Sequence, residues 1–371
     1  MIIGVPKEIK NNERRVGLSP WSVHELVDAG HEVLVETSAG VGIGAVDSDY
    51  VEVGASIVDV DTVFARAGMI VKVKEPQAVE RARLIEDQIL FTYLHLAPDP
   101  DQTRELVDSG AVCIAYETVT GPQGGLPLLA PMSKVAGRMS IQAAAHSLEA
   151  TQGGSGLLIG GVPGVEAAKV VVIGGGVVGE NALEMAVGLG ADVTVIDRSN
   201  DVLDRLEHRF GPTLKTMYST QASLRRYVVD ADVVVGAVLV KGARAPKLVT
   251  ADMVAAMRPG SVIVDVAIDQ GGMAETSRAT THEQPTYVVD GVVHYCVANM
   301  PGAVPRTSTH ALNNATLPFV MALANKGYRQ ALLDDHHLRN GLNVFHGAVT
   351  EPAVAATLGY DFVDPHEAVS A

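Results

Sequence analysis

Short unbroken apolar runs recur along this chain, separated by longer stretches in which apolar positions return every three or four residues. The first rhythm belongs to strands buried on both faces, the second to helices carrying one apolar stripe. Runs at 2–5, 32–36, 69–73, 88–93 and 111–115 form one series, and runs at 170–173, 192–196, 232–236, 261–268, 286–289 and 292–297 a second. Alternation of the two rhythms from the first residue predicts parallel sheets covered by helices. Ser19 followed by Pro20 marks a helix start and Gly30 its end. Residues 132–150 read as a long helix ahead of the glycine-rich stretch 153–164, a bridge between two domains. The segment PGAVP at 301–305 breaks the pattern, and 308–325 resumes it as another long helix. The tail beyond is too short to fold alone and is expected to pack back on the first series. The fold class predicted is α/β, two doubly wound domains joined by long helices. Residues 1–130 plus 307–371 form a discontinuous domain and 131–306 the other.

The most informative stretch is KVVVIGGGVVGENALEMAVGLGADVTVID, residues 169–197. It orders strand, glycine turn, helix, strand and terminal acid. Gly174, Gly176 and Gly179 permit a sharp turn, a close backbone approach to a pyrophosphate, and tight packing of the helix on its strand. The helix start, at Val177 and Val178, offers N–H groups to phosphates. Asp197 closes the second strand, where a carboxylate accepts from both ribose hydroxyls and repels a 2′-phosphate, so NAD is expected rather than NADP. The domain 131–306 is thus read as a Rossmann NAD-binding domain and the discontinuous one as a Rossmann-like substrate domain.

Composition narrows the partners. The 371 residues carry a net charge of −15, and no basic stripe stands out, which argues against nucleic acid. The chain begins directly with a strand, MIIGVPKEIK, and no stretch reaches the roughly 18 apolar residues of a membrane span, so a cytoplasmic protein with no membrane partner is expected. The 2 cysteines, Cys113 and Cys296, lie in apolar runs without metal-knuckle spacing and read as buried inert thiols. His336-His337 reads as a solvated helix end, and no metal is expected.

Four polar groups follow strand ends: Arg15 after the first strand, Lys74 after MIVKV, His95 after ILFTYL and Asp269 after SVIVDVAI. Ligands of open parallel sheets sit beyond such ends, here in a cleft expected between the domains. Oxidation of a small 2-amino or 2-hydroxy acid needs parts of these types. Arginine holds a carboxylate bidentately, which suits Arg15. Lys74 supplies a second cation, His95 titrates in the range for proton transfer, and Asp269 balances a transient positive charge. Each has a plain structural alternative. Arg15 beside Arg14 suits a solvated basic turn, Lys72 and Lys74 alternate so that one can face solvent, His95 suits a hydrogen-bonded loop, and Asp269 suits a turn cap before Gln270-Gly271-Gly272.

The opening MIIGVPKEIKNNERRVGLSP, then VKVKEPQ, FTYLHLA, LPLLAPMSKVAGRMSIQAAA, GGVPGV, the glycine fingerprint, DVAIDQGG and CVANMPGAVPRTST, in this order, resemble the bacterial alanine dehydrogenase family from residue 1 nearly to the end. The resemblance implies reversible oxidative deamination of L-alanine to pyruvate and ammonium with NAD. It implies substrate binding by Arg15, Lys74, His95 and Asn299, with His95 and Asp269 as the acid/base pair. Cofactor contacts implied are Ser133, Gly174, Gly176, Val177, Val178, Gly179, Asp197, Ser219, Val238, Leu239, Val266, Ala267, Ile268, Asp269, Arg278, Val297, Ala298, Asn299 and Met300. One departure is Val202, at a position often basic in relatives. The family also implies a homo-oligomer, a hexamer. Two alternatives keep the same scaffold: an NAD-binding module like that of proton-translocating transhydrogenase, and a dehydrogenase of another small 2-amino or 2-hydroxy acid.

Overall fold

A computed structural model describes residues 1–238 and 245–370. The chain divides into two compact units, one of Met1–Met132 with Val304–Ala371 and the other of Ser133–Ala303.

The first unit holds an eight-stranded sheet. Its strands are β1 (Ile2–Val5), β2 (Glu32–Glu36), β3 (Ser56–Val58), β4 (Met69–Val71), β5 (Ile89–Thr92) and β6 (Val112–Ala115), joined by β14 (Leu342–Phe345) and β15 (Ala348–Val349) from the tail. Their order is β15-β14-β6-β5-β4-β1-β2-β3. β1 to β6 pair in parallel, while β14 runs antiparallel to β6 with Leu342 opposite Ile114 and Val344 opposite Cys113. The core strands β4, β5 and β6 are buried throughout. The tail therefore completes this sheet, and β14 covers what would otherwise be its open edge.

The second unit holds β7 (Lys169–Ile173), β8 (Asp192–Asp197), β9 (Leu214–Tyr218), β10 (Val233–Gly236), β11 (Val262–Asp265), β12 (Thr286–Val289) and β13 (Val292–Tyr295), in the order β12-β13-β11-β10-β7-β8-β9. All pairs are parallel except β12 with β13. Counted from its own first strand, each sheet contains the order 3-2-1-4-5 of a doubly wound fold, continued by the sixth strand in the first sheet and by the seventh, then the antiparallel sixth, in the second, and the direction of winding reverses between the first and fourth strands. The reversal falls between β1 and β4 in one unit and between β7 and β10 in the other.

Several elements differ from the pattern-based expectation. Strands β3, β9, β14 and β15 carried no separate signal, being 2 to 5 residues long. The run expected at 261–268 stops at Asp265, and Val266–Gln270 winds into a 3₁₀ turn. The reason is Asp265 itself. Fully buried, its carboxylate accepts from the N–H groups of Ala267 at 3.1 Å, Met273 at 2.7 Å and Ala274 at 3.2 Å and from the Ser277 hydroxyl at 2.6 Å, which curls the chain around it. The bridging helix spans Ala130–Ser147, and the passage between units falls within it. The later helix extends over Pro305–Asp334 with a break at Gly327, whose φ of 72° and ψ of 161° are non-helical.

Candidate active site

In the first unit, Arg15, Lys74 and His95 leave the carboxyl ends of β1, β4 and β5, three neighbouring strands at the winding reversal. Arg15 is no surface residue, at 2% exposed. Its Nε and Nη2 donate to the two carboxylate oxygens of Glu13 at 2.7 and 2.5 Å, and its Nη1 lies 3.0 Å from Met132 Sδ. Burial disfavours the guanidinium, but the hydrogen bonds and charge of Glu13 outweigh that and hold its pKa above the ordinary value. The Nε–Nη2 edge belongs to Glu13, and the Nη1 side faces a weak sulfur acceptor.

The lysines are sorted in a way that alternation did not anticipate. Lys72 is fully buried, its ammonium 2.7 Å from Glu80 and 3.1 Å from Glu8. Burial opposes its charge, and the two carboxylates more than restore it. The second oxygen of Glu8 accepts from the backbone N–H groups of Val73 at 2.7 Å and Lys74 at 3.3 Å, so a buried ion cluster fixes the chain that carries Lys74. Lys74 itself is partly exposed.

His95 has φ of 51°, a left-handed conformation uncommon outside glycine. The Glu117 carboxylate enforces it, accepting the N–H of His95 at 2.5 Å and that of Leu94 at 3.2 Å, while its Oε1 lies 3.6 Å from His95 Nδ1. The imidazole stacks parallel to Tyr93 with centroids 5.9 Å apart and remains about half exposed. A half-exposed imidazole with a carboxylate on one side is oriented and still open to solvent protons.

In the second unit the remaining candidates line one sheet edge. Following the strand order they run Ser219 after β9, Asp197 closing β8, Gly174 to Gly179 after β7, Val238 after β10, Val266 to Asp269 after β11, and Val297 to Met300 after β13. Leu239 lies outside the described residues. Ser133 is the fourth residue of the helix Ala130–Ser147. Asp269 is exposed in the turn that Asp265 anchors, and Asn299 has φ of 63° with its carbonyl 3.1 Å from His282 Nε2. Arg278 stands apart from the row, its guanidinium stacked 4.0 Å over the Tyr287 ring.

The three glycines divide by cause. A Cβ on Gly174 would sit 2.7 Å from the Ala237 carbonyl oxygen, and one on Gly179 would overlap the carbonyl of Gly174, so the fold itself demands both. A Cβ on Gly176 would meet nothing within 4 Å. Yet Gly176 caps the helix Val177–Gly188 with no side-chain cap, leaving first-turn N–H groups for another acceptor. This is the fit expected of a pyrophosphate cradle, in which a side chain at Gly176 would occupy the ligand's place. Asp197 holds the turn from beneath, accepting the Gly175 N–H at 2.7 Å and the Ser199 N–H at 2.8 Å. Val202 packs against the same turn, where a Cβ on Gly175 would meet its methyl at 2.6 Å.

Sequence reasoning missed Glu13, Glu8, Glu117 and Asp265, and it gave Lys72 no partner. Only Glu13 left a local sign, two residues before Arg15. Among the described residues no group of three or more His, Cys, Asp or Glu converges as a metal site would, and no helix is long and apolar enough to cross a membrane. Cys113 and Cys296 are free and buried, and burial pushes the Cys113 thiol up to about 12. His337 Nδ1 lies 2.8 Å from the Thr120 hydroxyl.

The chain matches the N-terminal domain model of alanine dehydrogenase/PNT over residues 4–136 and the C-terminal domain model over 140–352. It is 60% identical over 365 residues to an alanine dehydrogenase of Halomonas elongata, covering 98% of both chains. It is 55% identical over 370 residues to that of Staphylococcus epidermidis, covering 100% of both. A solved L-alanine dehydrogenase superposes with a TM-score of 0.94 at 55% identity, over 97% of this chain and 99% of that one. A transhydrogenase of Sinorhizobium meliloti shares the fold with a TM-score of 0.84 at 24% identity, over 94% of this chain and 100% of that one.

Proposed function

The chain belongs to the alanine dehydrogenase/PNT family, and from that premise we propose that it catalyses the NAD-dependent, reversible oxidative deamination of L-alanine to pyruvate and ammonium. The observation that carries this reading is that Arg15, Lys74 and His95 follow three neighbouring strands, β1, β4 and β5, beside one winding reversal. The unit of Met1–Met132 and Val304–Ala371 acts on the substrate, and the unit of Ser133–Ala303 holds NAD.

NAD, when bound, supplies the acceptor for the α-hydrogen as hydride. The chain's own residues do the rest. Arg15 and Lys74 hold the substrate carboxylate, and Asn299 contributes a side-chain amide. His95 takes the proton of the α-ammonium, assists water in adding to the imine, and returns a proton to the departing ammonia. Asp269 offsets the positive charge of the iminium. Gly174, Gly176, Val177, Val178 and Gly179 present backbone to the pyrophosphate. Asp197, Ser219, Val238 and Leu239 serve the adenosine side. Ser133, Val266, Ala267, Ile268, Arg278, Val297, Ala298 and Met300 complete the NAD contacts. We place the protein in the cytoplasm as a homohexamer, on the family resemblance.

The test is a steady-state assay following NADH with pyruvate and ammonium, beside glyoxylate, 2-oxobutyrate and lactate. Turnover is expected with pyruvate and, in reverse, with L-alanine. Loss of both would sink the proposal, and faster turnover with another 2-oxo acid would reassign the substrate. Light scattering on the purified protein tests the hexamer.

A further inference from the structure

The glycine turn that begins the helix Val177–Gly188 is held by an arginine that the reading of the fingerprint did not use. Arg205, on the helix Asn200–Phe210, donates from Nη2 to the carbonyl oxygen of Gly175 at 3.0 Å. Asp197 takes the N–H of the same residue at 2.7 Å, so the two peptide planes flanking Gly175 are each fixed by one charged group. The plane between Gly175 and Gly176 is trans, as are all peptides among the described residues. In a trans peptide the carbonyl and the N–H point in opposite directions. Holding the Gly175 carbonyl toward Arg205 therefore aims the Gly176 N–H the other way, and the guanidinium polarises that amide as a donor.

A second effect works at the same helix end. Glu180 sits in the first turn, where a carboxylate suits the helix dipole but opposes a diphosphate. Arg205 and Arg209 both pair with it and cancel that charge.

We propose that Arg205 is a positioning residue for the dinucleotide, aiming the Gly176 N–H at the pyrophosphate through the carbonyl of Gly175. This rests on the reading that NAD binds at the fingerprint. It needs no contact between Arg205 and the cofactor. About half exposed, Arg205 can be replaced without opening the core.

The test compares Arg205→Met, Arg205→Lys and the double variant Arg205→Met/Glu180→Gln with the wild type. NADH and ADP-ribose are titrated by fluorescence and calorimetry, and amide exchange of residues 174–177 is followed in the cofactor-free protein. For Arg205→Met both dissociation constants are expected to rise roughly tenfold, the scale of one charge-assisted hydrogen bond. Exchange at the turn should accelerate, the KM for NAD should rise, and kcat should hold. Arg205→Lys should recover part of the loss. The double variant should remain weak, because removing the Glu180 charge does not restore the carbonyl bond. Wild-type affinity for ADP-ribose in Arg205→Met would overturn the proposal, as would full recovery in the double variant, which would leave charge cancellation as the whole effect. A wild-type chain that binds neither ligand would instead overturn the NAD reading.

Discussion

The two winding reversals of this molecule share a strand order and differ in how they are made ready for a ligand. Between β7 and β10 the work is done by backbone. Glycines let a turn close, a helix presents its N–H groups, and the charged groups nearby, Asp197 and Arg205, grip that backbone. Between β1 and β4 the work is done by buried ions. Arg15 is locked to Glu13, and Lys72 lies between Glu8 and Glu80 under the chain that leads to Lys74. A diphosphate is large and can be read by many amides at once. A three-carbon zwitterion offers few handles, and charged side chains held at fixed positions read those few strongly. The contrast also sets the risk each site carries, since a buried ion left without its partner is far costlier than a backbone amide returned to water.

The sharpest way to break this division is His95→Ala. Turnover is expected to fall by roughly 10²- to 10⁴-fold, the usual share of a general acid/base. The NADH dissociation constant should not move. Weakened NADH binding with retained turnover would invert the assignment of the two sites. Next is Glu13→Gln, which leaves the Arg15 cation buried with an amide in place of a carboxylate. We expect a loss of about 3–5 kcal/mol, the scale of breaking a buried ion pair, read as a lowered urea midpoint. An unchanged midpoint would mean that the Glu13–Arg15 ion pair does not hold this reversal together.

The contrast explains what could be read along the chain. The glycine turn, its helix and Asp197 fall within one continuous stretch, and their chemistry is backbone chemistry, which leaves glycines as its trace. Buried ions leave no such trace. Arg14 and Arg15 side by side leave a solvated turn open as an alternative, because the partner that buries Arg15 is a fold-level fact, and Glu13 beside it is as common in exposed loops. Glu117, which sets the conformation of His95, lies beyond another strand and helix and belongs to no motif. Asp265 sat unnoticed at the end of an apolar run whose second half it bends into a turn. The buried strands β4, β5 and β6 announced themselves as apolar runs, whereas β14, LNVF, is a strand only because β6 offers it an edge.

Gly176→Ala and Gly179→Ala sharpen the backbone side of the comparison. The methyl at Gly179 would overlap the Gly174 carbonyl and should cost folding stability, whereas the methyl at Gly176 has open space. Gly176→Ala is therefore expected to keep the wild-type melting temperature and to weaken NADH by at least about tenfold, roughly 1.4 kcal/mol. Equal effects of both substitutions on stability would remove the argument that Gly176 is shaped by a ligand.

The smallest effect separates the units by pH. His294, buried in β13, donates from Nδ1 to the Val292 carbonyl at 2.9 Å and accepts at Nε2 from the Thr276 hydroxyl at 2.8 Å, as a neutral ring does. Burial lowers its pKa below the ordinary 6.5. As pH falls below that value the unfolded chain takes up a proton that the folded one refuses, so stability is full above the unfolded pKa and declines with acid until the folded pKa is passed. The loss can reach about 1.4 kcal/mol per pH unit across that window. In the first unit the buried cations Arg15 and Lys72 have raised pKa values and stay charged there, and burial raises Glu8, which takes up its proton more readily folded than unfolded. None of the three weakens that unit as acid is added. Hydrogen exchange read separately over residues 133–303 and over the rest of the chain, at pH 7.5 and at pH 5.5, should show the acid loss in the former, and His294→Gln should flatten it. An acid loss of equal size in both units, unchanged by His294→Gln, would show that some other group sets the acid limit.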